Sequence, residues 1–257
     1  MADSAPPVLI EGLTKRLAGG VLAVDALDLV MQSGQIVGLA GPNGAGKSVT
    51  MKILLGLVRA SSGRVEIFGE PAHPGAKALA RIGALVDGPG FIPYLSGLEN
   101  LRLAARMKGV AERTDELERA IELAGLGAAI GRSYKTYSHG MRYRLGLAQA
   151  LLGEPELLLL DEPTTGLDPA HVLEIHETIA RVAANGATVV LSSHRLSEIE
   201  RVCTHAAVMR AGRSIAYGAV SELRAGRDSL EDAYLDLLDG RRLAPDAGTH
   251  TTNPLSR

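Results

Sequence analysis

The sequence has a single cysteine, Cys203, no tryptophan, two phenylalanines and six tyrosines in 257 residues. A lone cysteine excludes an intramolecular disulfide and fits a reducing compartment. Charge of one sign is lacking too: 27 basic against 29 acidic residues leave a net charge of −2. No overall basic excess therefore points to nucleic acid or to an acidic membrane surface, and no nucleic-acid partner is expected. No apolar run approaches the roughly 18 residues of a spanning helix. The start, "MADSAPPVLIEG", has neither the charged head nor the apolar centre of a secretory leader. These absences predict a soluble chain that meets a membrane only through a partner. No internal repeat is evident.

What is there is an ordinary globular composition, 46% hydrophobic and 22% charged, in a chain long enough for a sizeable core. Short apolar runs alternate with helical patterns. "RVEIFG", "GQIVGLA", "ELLLLD" and "ATVVLSS" read as strands, the last three buried on both faces as parallel strands are. Helical periodicity is expected over 47–58, 98–107, 115–124, 142–152, 171–184 and 197–202. Strand-then-helix alternation predicts an α/β fold with a mostly parallel sheet. The segment from about 91 to 152 reads as an inserted helical subdomain. "AAVMRAGRSIAYG" predicts a late hairpin turning at Ala211-Gly212. The polar, aperiodic end from 239 to 257 is expected to be disordered.

Three strings carry chemistry. In "GLAGPNGAGKS" a glycine-rich loop follows a strand and precedes a helix. Gly41, Gly44 and Gly46 let backbone N–H groups turn toward phosphates, with Pro42, Asn43 and Ala45 between them. Lys47 reaches the β- and γ-phosphates and the Ser48 hydroxyl ligates Mg²⁺. "ELLLLDEP" brings Asp161 out at a strand end, where α/β sheets bind ligands. Asp161 can hold the metal through water, and Glu162 can polarise an attacking water as general base. "LSSHR" ends another strand with His194, placed to donate to a γ-phosphate oxygen. A fourth string, "YSHGMRYR", reads as a helix start with Ser138 as cap and Gly140 allowing close approach to an anion. It has no lysine, acidic metal ligand or base beside it.

The order of these motifs resembles one family, the ATP-binding subunits of ABC transporters, over about residues 8–238. "GPNGAGKS" resembles their Walker A loop, "LLLLDEP" their Walker B strand, "GLDP" with Asp168 their D-loop, and His194 their switch histidine. "YSHGM" stands where the family has LSGGQ. The resemblance implies a P-loop NTPase core with an antiparallel β portion and the helical insertion. It also implies ATP and Mg²⁺ as ligands, a second ATP-binding subunit in a homodimer, and a transmembrane permease at the cytoplasmic face of the cell membrane. Two subunits facing head to tail put Ser138 and the Gly140 backbone against the γ-phosphate held by the other chain's Lys47.

The pattern departs from the family at four places. Leu17, in "TKRLAGG", stands where an aromatic stacks on adenine, a contact worth roughly 1–3 kcal/mol. Val49 replaces the threonine after Ser48. Asp87 replaces the glutamine that contacts Mg²⁺. His139 and Met141 replace a glycine and a glutamine in the signature. "IGALVDGPGFIPYLSGLENLRLAA" and the tail "SLEDAYLDLL" are similar to bacterial exporter ATPases of the bacitracin-resistance type, implying a drug, antibiotic or peptide as cargo. The alternative is a single-cassette cytosolic ATPase acting in assembly or regulation. Ribosome-acting members usually carry two cassettes, and DNA-repair members need a long coiled coil; one P-loop and a short insert are present here. His171 and His176 are five apart, the wrong spacing for one helix face. Cys203 reads as a packing residue. Arg142 and Arg144 are expected to face solvent or signature-loop carbonyls.

Overall fold

The structure, a computed structural model, describes residues 5–110 and 115–238. The tail expected to be disordered lies outside the described residues. The chain opens with β1 (Val8–Arg16), β2 (Leu22–Met31), β3 (Ile36–Ala40) and helix α1 (Lys47–Leu54). Then come β4 (Ser62–Ile67), β5 (Glu70–Pro71), β6 (Ile82–Leu85), α2 (Gly97–Met107), α3 (Asp115–Ala124) and α4 (His139–Leu151). The second half runs β7 (Leu157–Leu160), α5 (Pro169–Ala184), β8 (Thr188–Ser193), α6 (Leu196–Val202), β9 (His205–Arg210), β10 (Arg213–Ala219), α7 (Val220–Arg224) and α8 (Leu230–Leu238).

Two sheets result. One is antiparallel, in the order β2-β1-β4-β5. The other is six-stranded, β10-β9-β3-β8-β7-β6, parallel throughout except for the β9–β10 hairpin. That hairpin turns at Ala211 and Gly212, both at positive φ, the backbone a two-residue hairpin requires. The antiparallel sheet was only partly legible. β1 and β2 are interrupted by register shifts and by Gly12 at φ 57°, which break the period-2 pattern that would reveal them.

The four leucines of β7 divide by parity. Leu157 and Leu159 enter a core with the antiparallel sheet and α1, through Val8, Leu29, Met51 and Ile67. Leu158 and Leu160 enter a second core under α5 and α6, with Ile175, Ile179 and Ile199. Successive side chains on a strand point to opposite faces, so a strand covered on both faces must be apolar at every position. Helix α4 is shared in the same way. Its Tyr143, Leu147 and Ala150 belong to the sheet's core. Leu145 and Ala148 pack with Leu101 of α2 and Leu117 of α3. Thus the last helix of the expected helical insertion is also a layer of the main fold. Helix α1 is shorter than its periodicity implied, stopping before Gly56 at φ 67°, where a glycine ends helices readily.

Candidate nucleotide site

The carboxyl ends of β3, β7 and β8, adjacent in the sheet, carry the loops of interest. The loop after β3 is shaped by contacts a side chain would prevent. A Cβ on Gly41 would stand 2.2 Å from the Met209 carbonyl oxygen, and one on Gly46 2.4 Å from that of Ala23. Gly46 is also left-handed at φ 103° and precedes the first turn of α1. From behind, the β9–β10 turn braces the loop: the Gly212 N–H donates to the Ala45 carbonyl at 3.2 Å. The first N–H groups of α1 have no partner inside the helix, a ready anion site.

Lys47 is buried at 6% exposure. Its Nζ donates to the carbonyls of Gly41 at 2.7 Å and Pro42 at 3.1 Å. Burial pulls its pKa below the ordinary lysine value, opposed by the charges of Glu162 and Asp161. Next to it, the Ser48 hydroxyl donates to Asp161 Oδ1 at 3.1 Å, and Ser192 at the end of β8 donates to the same oxygen. Ser192 Oγ in turn accepts from the Glu162 N–H at 2.9 Å.

Glu162 adopts φ 49°, an uncommon conformation for a residue with a side chain. Its Oε2 meets His194 Nδ1 at 2.8 Å and accepts from Thr165 Oγ1 at 3.1 Å, while Oε1 lies 3.8 Å from Lys47 Nζ. Lys47, Ser48, Asp161, Glu162 and His194, drawn from three separate strings, therefore form one cluster. Among the described residues no group of three or more His, Cys, Asp or Glu could hold a metal ion. The Ser48 hydroxyl and the Asp161 carboxylate are the hard oxygen donors that meet there.

The other expected site residues fall elsewhere. Asp87, at φ 59° and 61% exposed, pairs with Lys52 of α1 at 2.7 Å rather than with Ser48 or Asp161. Val49 packs against the main core, which accounts for an apolar residue at that position. Leu17 is half-exposed just beyond β1, its N–H donating to Val21. Asp168 caps α5, accepting from the His171 N–H at 3.2 Å and from the His171 ring; these bonds hold its carboxyl below the usual aspartate range. Ser138 caps α4, accepting from the Met141 N–H at 3.3 Å. Among the described residues no hydrogen bond joins Ser138 or Gly140 to the cluster around Lys47. His139 Nε2 instead lies 3.2 Å from the Thr165 carbonyl. Arg142 donates to the carbonyls of Tyr137 and Lys135, and Arg144 to that of Gly125. Cys203 is buried, which pushes its thiol pKa up.

Sequence reasoning passed over Ser192, Thr164, Thr165 and Glu198. One signal was available: two adjacent serines end an otherwise apolar buried strand, and neighbouring strand residues face opposite ways. Ser192 goes to Asp161 and Ser193 to Glu198.

A phosphate loop at a strand–helix junction beside a buried-strand carboxylate pair defines a P-loop nucleotide-binding protein. Residues 24–165 match the ABC transporter family, and the chain belongs to that family, whose members bind and hydrolyse ATP. It is 42% identical to YhcH, an ABC transporter ATP-binding protein of Bacillus subtilis (strain 168), over 80% of this chain and 68% of that one. It is 37% identical to the bacitracin transport ATP-binding protein BcrA of Enterococcus faecalis, over 90% of this chain and 74% of that one. A solved ATP-binding subunit of an ABC transporter superposes with a TM-score of 0.82 at 29% identity, covering 90% of this chain and 99% of that one. Among the described residues no helix is long and apolar enough to cross a membrane.

Proposed function

We propose that the chain is the ATP-hydrolysing subunit of an exporter, one ABC ATPase domain over residues 8–238 that works through a separate membrane permease. The observation that carries the catalytic part is the convergence of Lys47, Ser48, Asp161, Glu162 and His194. In this reading the P-loop amides from Gly41 to Ser48 and the Lys47 ammonium bind the β- and γ-phosphates. To do so, Lys47 exchanges the carbonyls of Gly41 and Pro42 for phosphate oxygens. Leu17 forms an apolar wall for adenine. Ser48 and Asp161 hold Mg²⁺. The fit rests on the donor set: both are hard oxygen donors, and Mg²⁺ is usually held by one or two carboxylates together with waters and substrate phosphates. When bound, the ion neutralises charge on the phosphate oxygens.

Glu162 accepts a proton from the attacking water, and His194 beside it donates toward the γ-phosphate. Asp87 belongs to the same reading as a further carboxylate that would hold the metal ion once freed from Lys52. Ser138 and Gly140, standing apart from this cluster, contact the nucleotide of a second copy in a head-to-tail homodimer, and Asp168 lies near that contact. The similarity to a bacitracin transport protein supports a peptide antibiotic or hydrophobic drug as cargo. The protein then sits at the cytoplasmic face of the membrane, held by its permease.

The test is co-expression with the product of a neighbouring gene that encodes about six apolar spans. The expected result is a complex that survives purification and hydrolyses ATP faster than the chain alone. A chain that neither associates with such a product nor responds to it is not an exporter subunit.

A further inference from the structure

Behind the cluster lies a third carboxylate, one that the reading above does not use. Glu198, on α6, is 7% exposed. Its Oε1 accepts from Thr164 Oγ1 at 2.5 Å, and its Oε2 from Ser193 Oγ at 2.7 Å. Arg195 Nη2 reaches Oε2 at 3.3 Å and also donates to Thr164 Oγ1. The Arg195 N–H closes the ring on Ser193 Oγ at 3.0 Å. A buried carboxylate is costly unless such donors surround it. These particular donors are informative. Thr164 lies two residues beyond Glu162, and Ser193 immediately precedes His194. One side chain thus ties together the two turns that present the paired catalytic groups.

We propose that Glu198 is a positioning residue for ATP hydrolysis, clamping the Thr164 turn to the Ser193 turn so that Glu162 and His194 keep their 2.8 Å contact. The inference rests on reading Glu162 and His194 as the hydrolytic pair. Two further observations support it. Glu162 adopts a left-handed backbone at φ 49°, a strained conformation that persists only where its surroundings over-determine it. Thr164, only 2% exposed, is the nearest anchored side chain downstream. In addition, Tyr143 of α4 buries a hydroxyl with no hydrogen-bond partner. Burial and the charges of Glu198 and Asp161 hold that phenol above its ordinary pKa. Tyr143 shares an apolar core with Leu196 and Ile199 of α6, the helix that carries Glu198.

Glu198 does not touch the phosphate loop, so it should govern turnover and not nucleotide binding. The measurement is steady-state ATPase of the purified full chain with Mg²⁺–ATP, together with nucleotide affinity and thermal unfolding. Glu198→Gln keeps the shape and loses the second acceptor oxygen. It should lower kcat by about tenfold to a hundredfold, the cost of a small misplacement near the reacting atoms, with KM and ATP affinity within about twofold of the parent. Combined with Glu162→Gln it should lower kcat no further, because a residue acting through Glu162 has nothing left to position. Should Glu198→Gln fail to fold, Ser193→Ala removes one arm of the clamp and is expected to show the same split between kcat and KM. Unchanged kcat in the soluble variant, or a loss that multiplies with that of Glu162→Gln, overturns the inference. Near-normal hydrolysis by Glu162→Gln alone instead overturns the underlying assignment of the base.

Discussion

Glu162 sits at φ 49°, a conformation that costs a residue with a side chain about 1–3 kcal/mol. In this conformation the carboxylate meets His194 at 2.8 Å and lies 3.8 Å from Lys47. If Glu162 is the general base, Glu162→Gln removes the proton acceptor and keeps the shape. Turnover should fall by about 10²–10⁴-fold, the range for a lost acid–base group, while ATP binding persists. An ATPase assay beside a nucleotide-binding measurement separates the two, and near-normal hydrolysis would rule out this role. The identity of these residues was legible in short strings. Their strain and their partners were not, because Ser192 and Glu198 belong to segments 30 or more residues downstream, and no local pattern ties them to Asp161 or Thr164.

At the scale of elements, the phosphate loop depends on glycines for two different reasons. Gly46 is left-handed and would place a Cβ 2.4 Å from the Ala23 carbonyl oxygen, whereas Gly44, at φ 80°, has no atom within 4 Å of such a Cβ. Gly44→Ala therefore costs only the backbone conformation, about 1–2 kcal/mol. Gly46→Ala adds a collision with the backbone of β2 and should show the larger drop in melting temperature and the larger loss of ATP affinity. Equal effects on unfolding and binding would mean that the contact with Ala23 does not shape the loop. Helix α4 teaches a related lesson. Its periodicity was readable, but that it serves two cores is a consequence of β6 and α2 lying on opposite sides of it.

For the molecule as a whole, one exposed surface and one set of buried groups decide behaviour. Around the start of the helical block, Ile92 and Tyr94 are exposed, Tyr94 at 80%. Phe91 turns inward and packs edge-on against Tyr134 at 5.1 Å. The apolar run after "DGPG" is thus divided between an anchor and an exposed tip, and an exposed apolar tip suits a partner surface. With a permease bound, Tyr94→Ala should abolish the stimulation of ATPase and leave basal activity and folding intact. Normal stimulation in the variant would place the coupling contact elsewhere.

Acidification acts through the interior. Both ring nitrogens of His176 are buried, with Nε2 3.6 Å from Glu198 Oε1, beyond hydrogen-bond distance. Burial lowers its pKa from the ordinary value of 6.5, opposed by the Glu198 charge; burial lowers His205 too, opposed by the Glu222 charge. The unfolded chain therefore binds protons that the folded chain refuses, in the window from about pH 6.5 down to the lowered values. Across that window stability falls as pH falls. His176→Leu should flatten the slope of melting temperature against pH between about 7 and 5.5. An unchanged slope would assign the acid sensitivity to other groups.

By itself the sequence determined the local chemistry. A glycine loop with Lys47 and Ser48, a leucine strand ending in Asp161 and Glu162, and a serine-capped helix at Ser138 are each readable because the backbone demands behind them are short-range. Only the tertiary structure decided which of these meet. Parallel pairing of β3 with β8 and of β8 with β7 brings strand ends more than a hundred residues apart into one row. In that arrangement Lys47, Asp161, Glu162 and His194 join and Ser138 stays apart. Asp87 pairs with Lys52, and Glu198 is buried behind the paired turns because α6 packs under β8. Such contacts follow from sheet order and layer packing, which depend on the whole chain at once and leave no mark in any short stretch of it.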